Sequence, residues 1–151
     1  MSANFDPAAV VCSRTEKAAL RLIARAEQNS NGLRLKLESR GYKKECINTV
    51  IEKLTGLNLI NDSRYANLWL QSRLHLTRSP RRLLAGLCGR GISRREAETA
   101  LKNVLNDETE FSLLVRFADK YKRKIKDKKE LKYFLKSESF SAQAIEEFLN
   151  T

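Results

Sequence analysis

Leu87-Cys88-Gly89-Arg90-Gly91-Ile92-Ser93-Arg94-Arg95-Glu96-Ala97 is written like a tight corner between two helices. Gly91 stands just past an amphipathic run, where a helix C-terminus most easily turns through the left-handed region. Two residues on, Ser93-x-x-Glu96 has the form of a capping box. The serine oxygen can accept from an orphan amide while the glutamate reaches back.

The corner occurs three times. Leu37-Glu38-Ser39-Arg40-Gly41-Tyr42, Leu87-Cys88-Gly89-Arg90-Gly91-Ile92 and Leu135-Lys136-Ser137-Glu138-Ser139-Phe140 overlay at offsets of 50 and 48 residues. Leu33, Leu83 and Leu131 align four residues upstream of these. Downstream, an apolar stripe returns each time: Ile47, Val50, Ile51, Leu54, then Ala97, Ala100, Leu101, Val104, then Ile145, Phe148, Leu149. That spacing is one face of a helix. A further amphipathic run precedes each copy, over residues 15–28, 63–77 and 108–125.

The unit is thus three helices in about 48 residues, a period typical of stacked arrays. The fold class expected is all-α, with three tandem three-helix repeats stacked into an elongated array that is free to curve. The divisions expected are a flexible N-terminal tail over 1–14 and repeats over 15–60, 61–106 and 107–151. Ser13-x-x-Glu16, Asp107-x-x-Glu110 and Asp127-x-x-Glu130 read as further helix starts, and Ser79-Pro80 as an N-cap with proline at the first helical position.

A chain of 151 residues that is 42% hydrophobic and 31% charged can bury a core without staples. Cys12, Cys46 and Cys88 are odd in number and widely spaced. They predict reduced thiols, with Cys46 and Cys88 as small apolar fillers, rather than a disulfide framework or zinc site. No apolar run is long enough to span a membrane, and the first residues lack the pattern of a secretory signal.

Catalytic signatures are missing. His75 is the single histidine and has no acid or cysteine at a useful spacing. No phosphate-binding glycine loop or nucleophile elbow occurs. The expectation is a protein with no enzymatic activity, metal or cofactor.

Charge is the stronger signal. There are 29 Lys and Arg against 18 Asp and Glu, a net of +11. Residues 61–95 hold eight basic side chains and one acidic, and residues 112–136 hold ten and three. An acidic spacer separates these two zones. Such a chain should attract nucleic acid or an acidic surface. Arginine dominates the first zone, and its planar fork suits phosphate or carboxylate. Lys120-Tyr121-Lys122-Arg123-Lys124-Ile125-Lys126 lies in the second, with Tyr121 and Ile125 expected to face the core. Trp69 shares a helical face with Tyr65, Leu68 and Ser72, as a core residue or as an anchor for a partner. Arg94, Arg95, Glu98 and Thr99 could also be offered to a DNA groove by a helix-turn-helix, although the same corner in all three copies is explained by packing alone.

The middle copy carries the most specific pattern: Asp62-Ser63-Arg64-Tyr65-Ala66, Trp69, Arg73, Ser79-Pro80-Arg81-Arg82-Leu83, Leu87 and Arg90-Gly91-Ile92. This resembles the central signature of the RecX family of RecA regulators, and the likeness extends over roughly residues 15–150. The resemblance implies a cytoplasmic, monomeric protein that lies in the groove of the RecA–single-stranded DNA filament. There it would restrain recombinase and coprotease activity in DNA repair, recombination and the SOS response.

The partner- or DNA-contacting residues expected are Arg64, Arg73, Arg78, Arg81, Arg82, Arg90, Arg94, Arg95, Lys122, Arg123, Lys124 and Lys126. The alternative is a nucleic-acid-binding helical module that acts without RecA. Two departures stand out. Ser79 replaces the family's more usual glycine before proline. Glu138-Ser139-Phe140 replaces Arg-Gly-Phe, which predicts a differently shaped helix end in the third copy.

Overall fold

The computed structural model of the protein describes residues 7–151, with side chains from Cys12 onward. The described residues form nine α-helices and no strand: α1 (Pro7–Arg25), α2 (Ser30–Ser39), α3 (Lys44–Gly56), α4 (Asp62–Arg73), α5 (Pro80–Gly89), α6 (Arg94–Val104), α7 (Asp107–Tyr121), α8 (Lys128–Ser137) and α9 (Ala142–Leu149). The all-helical class read from the sequence is therefore the observed one. The chain divides into two compact units, Met1–Tyr65 and Ala66–Thr151.

The corners explain the repeat. In each, the N–H of the residue after the turn returns to the carbonyl of the aligned leucine: Tyr42 to Leu37 at 3.3 Å, Ile92 to Leu87 at 3.2 Å and Phe140 to Leu135 at 3.2 Å. A second, shorter loop closes inside it, from Gly41 to Glu38, Gly91 to Cys88 and Ser139 to Lys136, each at 3.0 Å. This is the Schellman pattern, which satisfies carbonyls that a helix end leaves open. All three leucines are fully buried. Gly41 and Gly91 turn at φ +86° and +91°.

The third corner corrects an expectation. Ser139 adopts φ +72° and closes the same two bonds, so the missing glycine does not reshape the helix end. The hydrogen bonds and the buried pair Leu135 and Phe140 outweigh the local penalty of about 1–2 kcal/mol for a left-handed L-residue.

Part of the segment expected as an N-terminal tail over 1–14 is helical. α1 already begins at Pro7, where proline's fixed φ and missing N–H suit a first helical position. Ala8 and Ala9 are strong helix formers, so the backbone runs helically through Ser13, and the Ser13-x-x-Glu16 pattern caps nothing. Residues 1–6 lie outside the described residues. At α7 the N-cap is Asn106, which accepts from the Thr109 amide at 2.9 Å, one residue before the expected Asp107.

The cysteine reading is also corrected. Cys12 and Cys46 are joined in a disulfide between α1 and α3, and Cys88 is exposed rather than a filler. Neither fact follows from spacing, because the pairing depends on how α1 lies against α3.

In the first unit, α1, α2 and α3 pack on one another. Their core is Ala18, Ala19 and Leu22 against Leu33, Leu37, Ile47, Val50, Ile51, Leu54 and Ile60. Asp62 anchors this unit from the first turn of α4. Its carboxylate accepts from the Ser30 amide at 2.7 Å and the Ser30 hydroxyl at 2.6 Å. An anion is favoured there by the N-terminal dipole of α2.

In the second unit, α5 packs on α6, and α9 packs on both α7 and α8. Phe117 forms the centre of a ring cluster, 4.7 Å from Tyr121, 5.8 Å from Phe134 and 5.5 Å from Phe140. Tyr121 thus faces inward, as its spacing predicts. Among the described residues no helix is long and apolar enough to cross a membrane.

Candidate partner-binding surface

α5 is the scaffold for most of the arginines. Its start is fixed by Ser79, which is fully buried. The Ser79 oxygen accepts from the Arg82 amide at 3.3 Å while its hydroxyl donates to Glu138 Oε2 at 2.7 Å. Serine thus supplies a hydrogen-bonding oxygen that glycine could not. Arg81 places its backbone N–H on the Glu138 carbonyl at 3.3 Å. Its guanidinium stays 3.9 Å from the Glu138 carboxylate and remains 63% exposed, so that pair holds it weakly. Arg78 and Arg82 are exposed beside it.

The other end of α5 lies about 15 Å away at 1.5 Å rise per residue. There Trp69 of α4 reaches α5 at Gly86. A Cβ on Gly86 would lie 2.6 Å from the Trp69 ring, so the glycine makes room for the indole. The Arg73 and Arg90 guanidiniums both lie over that ring, 5.3 Å and 5.5 Å from its centroid. The indole N–H and Arg73 Nε are buried with no hydrogen-bond partner among the described residues. The ring draws both cations by cation–π attraction. Guanidinium forks of this kind suit a carboxylate or phosphate. Trp69 therefore spaces helices and gathers charge at once, while its sequence neighbours Leu68 and Ser72 are exposed.

At the start of α6, Arg94 pairs with Glu98 at 3.0 Å and Thr99 bonds back to the Arg95 carbonyl at 2.9 Å. Of the four residues a helix-turn-helix would offer, only the Arg95 side chain is left without such a contact. Lys122 caps α7 and lies 4.0 Å from Asp119. Arg123, Lys124 and Lys126 follow, exposed, in the segment leading to α8. Cations after a helix C-terminus are favoured by its dipole, which offsets part of their mutual repulsion. Among the described residues, no carboxylate lies within ion-pair distance of Arg78, Arg82, Arg90, Arg95, Arg123, Lys124 or Lys126.

Arg64 stands apart from the rest of the expected set. It bonds Glu27 at 2.7 Å and donates to the carbonyls of Asn58 at 3.0 Å and Leu59 at 3.3 Å. Its fork holds the turn after α3, where Asn58 has φ +59°, which makes it a clamp within the first unit.

A cleft of about 280 Å³ in the second unit is lined by Pro80, Leu101, Lys102, Leu105, Glu110, Ser139 and Ser141. Its ionisable groups are Lys102 and Glu110, and the glutamate already accepts from the Ser141 amide at 2.7 Å. His75 is exposed on its own. Sequence reasoning passed over α8, where Lys129, Lys132, Tyr133 and Lys136 are all exposed. The signal in the sequence is their i, i+3, i+4, i+7 spacing, which a sum of charges does not show.

No protein-family model matches the chain. It is 33% identical over 114 residues to the regulatory protein RecX of Treponema pallidum (strain Nichols), which covers 75% of this chain and 70% of the relative. The regulatory protein RecX of Caldanaerobacter subterraneus subsp. tengcongensis is 26% identical over 132 residues, covering 87% and 67%. Among solved structures, RecX from Lactobacillus salivarius superposes with a TM-score of 0.73 at 24% identity over 94% of this chain and 96% of that one. A second crystal structure of regulatory protein RecX gives 0.78 at 18% identity over 99% and 82%. The two structural likenesses show the fold.

Proposed function

This chain belongs to the RecX family of regulatory proteins, and from that premise we propose that it acts, as a monomer in the cytoplasm and without catalysis or cofactor, by binding the groove of the RecA–single-stranded DNA filament and restraining recombinase and coprotease activity. The observation that carries this reading is the set of exposed arginines at both ends of α5 and the start of α6. Arg78, Arg82, Arg90 and Arg95 have no carboxylate within ion-pair distance among the described residues. Forked cations left unpaired by the fold suit a partner rich in phosphate and carboxylate. Arg73 and Arg90 on Trp69 would supply a preorganised anchor at the centre, the kind of site that dominates interface energetics.

The test is RecA ATP hydrolysis on single-stranded DNA with this protein added at stoichiometric amount. Hydrolysis should fall, and Arg82→Glu with Arg95→Glu should restore it while the helical circular dichroism is kept. An unchanged rate with the wild-type protein would remove the proposal.

A second reading, a nucleic-acid-binding module that needs no RecA, is favoured by the exposed Lys122–Lys126 segment. It predicts binding to bare single strands that weakens steeply with salt. Negligible binding at physiological salt excludes it.

A further inference from the structure

Four of the five aromatic side chains of residues 117–140 are packed into the ring cluster around Phe117. The fifth, Tyr133, is 78% exposed, more than any other large hydrophobic residue among the described residues. It makes no ring contact and no hydrogen bond among the described residues. The fold gives no reason for an aromatic there, since lysine or alanine is the better helix former on a solvated face.

The surroundings of Tyr133 are cationic. At about 100° per residue, Lys132, Lys136, Lys129 and Tyr133 fall within about 100° of arc on α8. Leu131, Phe134 and Leu135 occupy the opposite, buried or half-buried side. Lys129 and Lys136 have no ion-pair partner among the described residues. Lys132 lies 3.9 Å from Glu146, both side chains being more than half exposed. Glu130 sits on the far edge of the tyrosine and is also exposed. Lys122–Lys126 run directly into the helix.

An exposed ring among unpaired lysines has the two parts that hold single-stranded nucleic acid: a face for a base and cations for the backbone. A double helix would hide its base faces from such a ring, and an acidic protein surface would use the lysines without calling for a stacking face. We infer that the outer face of α8 is a single-strand site, with one unstacked base lying on Tyr133 and Lys129, Lys132 and Lys136 holding the flanking phosphates. This deepens the reading above, on which it rests for a partner that carries DNA.

The experiment is fluorescence anisotropy with the full chain and a labelled strand of roughly 15 thymidines, and separately with an abasic strand of the same length, across a salt series. Tyr133→Ala should weaken thymidine binding about 5- to 150-fold, leave the salt slope unchanged and leave abasic binding unchanged. Tyr133→Phe, which keeps the ring, should bind like the wild type. Lys129→Gln and Lys136→Gln should each lower the salt slope by about 0.7 on either strand.

The inference is overturned if Tyr133→Ala binds thymidine as the wild type does, or if the wild type binds both strands equally. It is also overturned if Tyr133→Ala abolishes the effect on RecA while strand binding stays intact, because the ring would then meet protein. Should the strand pattern hold while RecA hydrolysis is untouched, the site stands and the filament proposal falls.

Discussion

Replacing Ser139 by glycine should stabilise the protein. Ser139 turns at φ +72°, a conformation that disfavours an L-residue by about 1–2 kcal/mol. Its side chain is exposed and holds no hydrogen bond among the described residues, so truncation loses no contact of that kind. Glycine gives back about 0.5–1 kcal/mol through the freer unfolded chain. The net expected is about 0.5–1 kcal/mol of added stability, or roughly 1–4 °C in Tm for a chain of this size. Urea denaturation followed by far-ultraviolet circular dichroism reads this as a higher midpoint at constant slope. Gly41→Ala is the mirror experiment. Nothing lies within 4 Å of the added Cβ, and φ there is +86°, so the change should lower stability by about 1 kcal/mol through backbone strain alone. A Ser139→Gly midpoint at or below the wild type, with Gly41→Ala lowered as expected, would refute the argument that the third corner carries the strain its two glycine counterparts avoid.

Gly86→Ala should drive a methyl into the Trp69 ring, and about 1–3 kcal/mol of overpacking should outweigh the helix-propensity gain of about 1 kcal/mol. Trp69 is the only tryptophan, so its emission should shift with the loss of stability; an unmoved spectrum and midpoint would contradict the contact. Asp62→Ala removes two short bonds to Ser30 and should destabilise the first unit by about 1–3 kcal/mol, seen as faster hydrogen exchange in α2. Opening Cys12–Cys46, which closes a 34-residue separation, should lower the stability of that unit by about 2–4 kcal/mol. Dithiothreitol should therefore lower Tm for the wild type and leave Cys12→Ser unaffected.

Much of the architecture was legible because the corners repeat a small grammar of buried leucine, left-handed turn and cap. Ser139 shows its limit: hydrogen bonds and a buried pair of apolar side chains impose the same turn where the sequence lacks the residue that makes it easy. The start of α1 was hidden by a capping-box pattern that the helix runs through. The disulfide was hidden because two cysteines 34 residues apart meet only after α1 docks on α3.

The surface was harder to read. Several of the signature residues in the middle copy serve the fold: Asp62 binds Ser30, Arg64 binds the turn after α3, Ala66, Leu83 and Leu87 are buried, and Ser79 caps α5. Counting arginines cannot separate Arg64, which is spent internally, from Arg82, which is not. That distinction lies in the partners each fork finds after folding.

Glu138 ties two triplets of the second unit together, accepting from Ser79 with its side chain and from Arg81 with its carbonyl, while Arg116 donates to the Leu74 carbonyl at 2.8 Å. Ser79 is sealed from water at that joint, so prising the triplets apart would strand a buried cap. Within the second unit the copies are modular in their text, yet this joint should make them melt together. Copies two and three look interchangeable on paper but are riveted where the third departs from the shared pattern, at Glu138, and cutting the chain after residue 106 should yield a weakened fragment rather than a free-standing repeat.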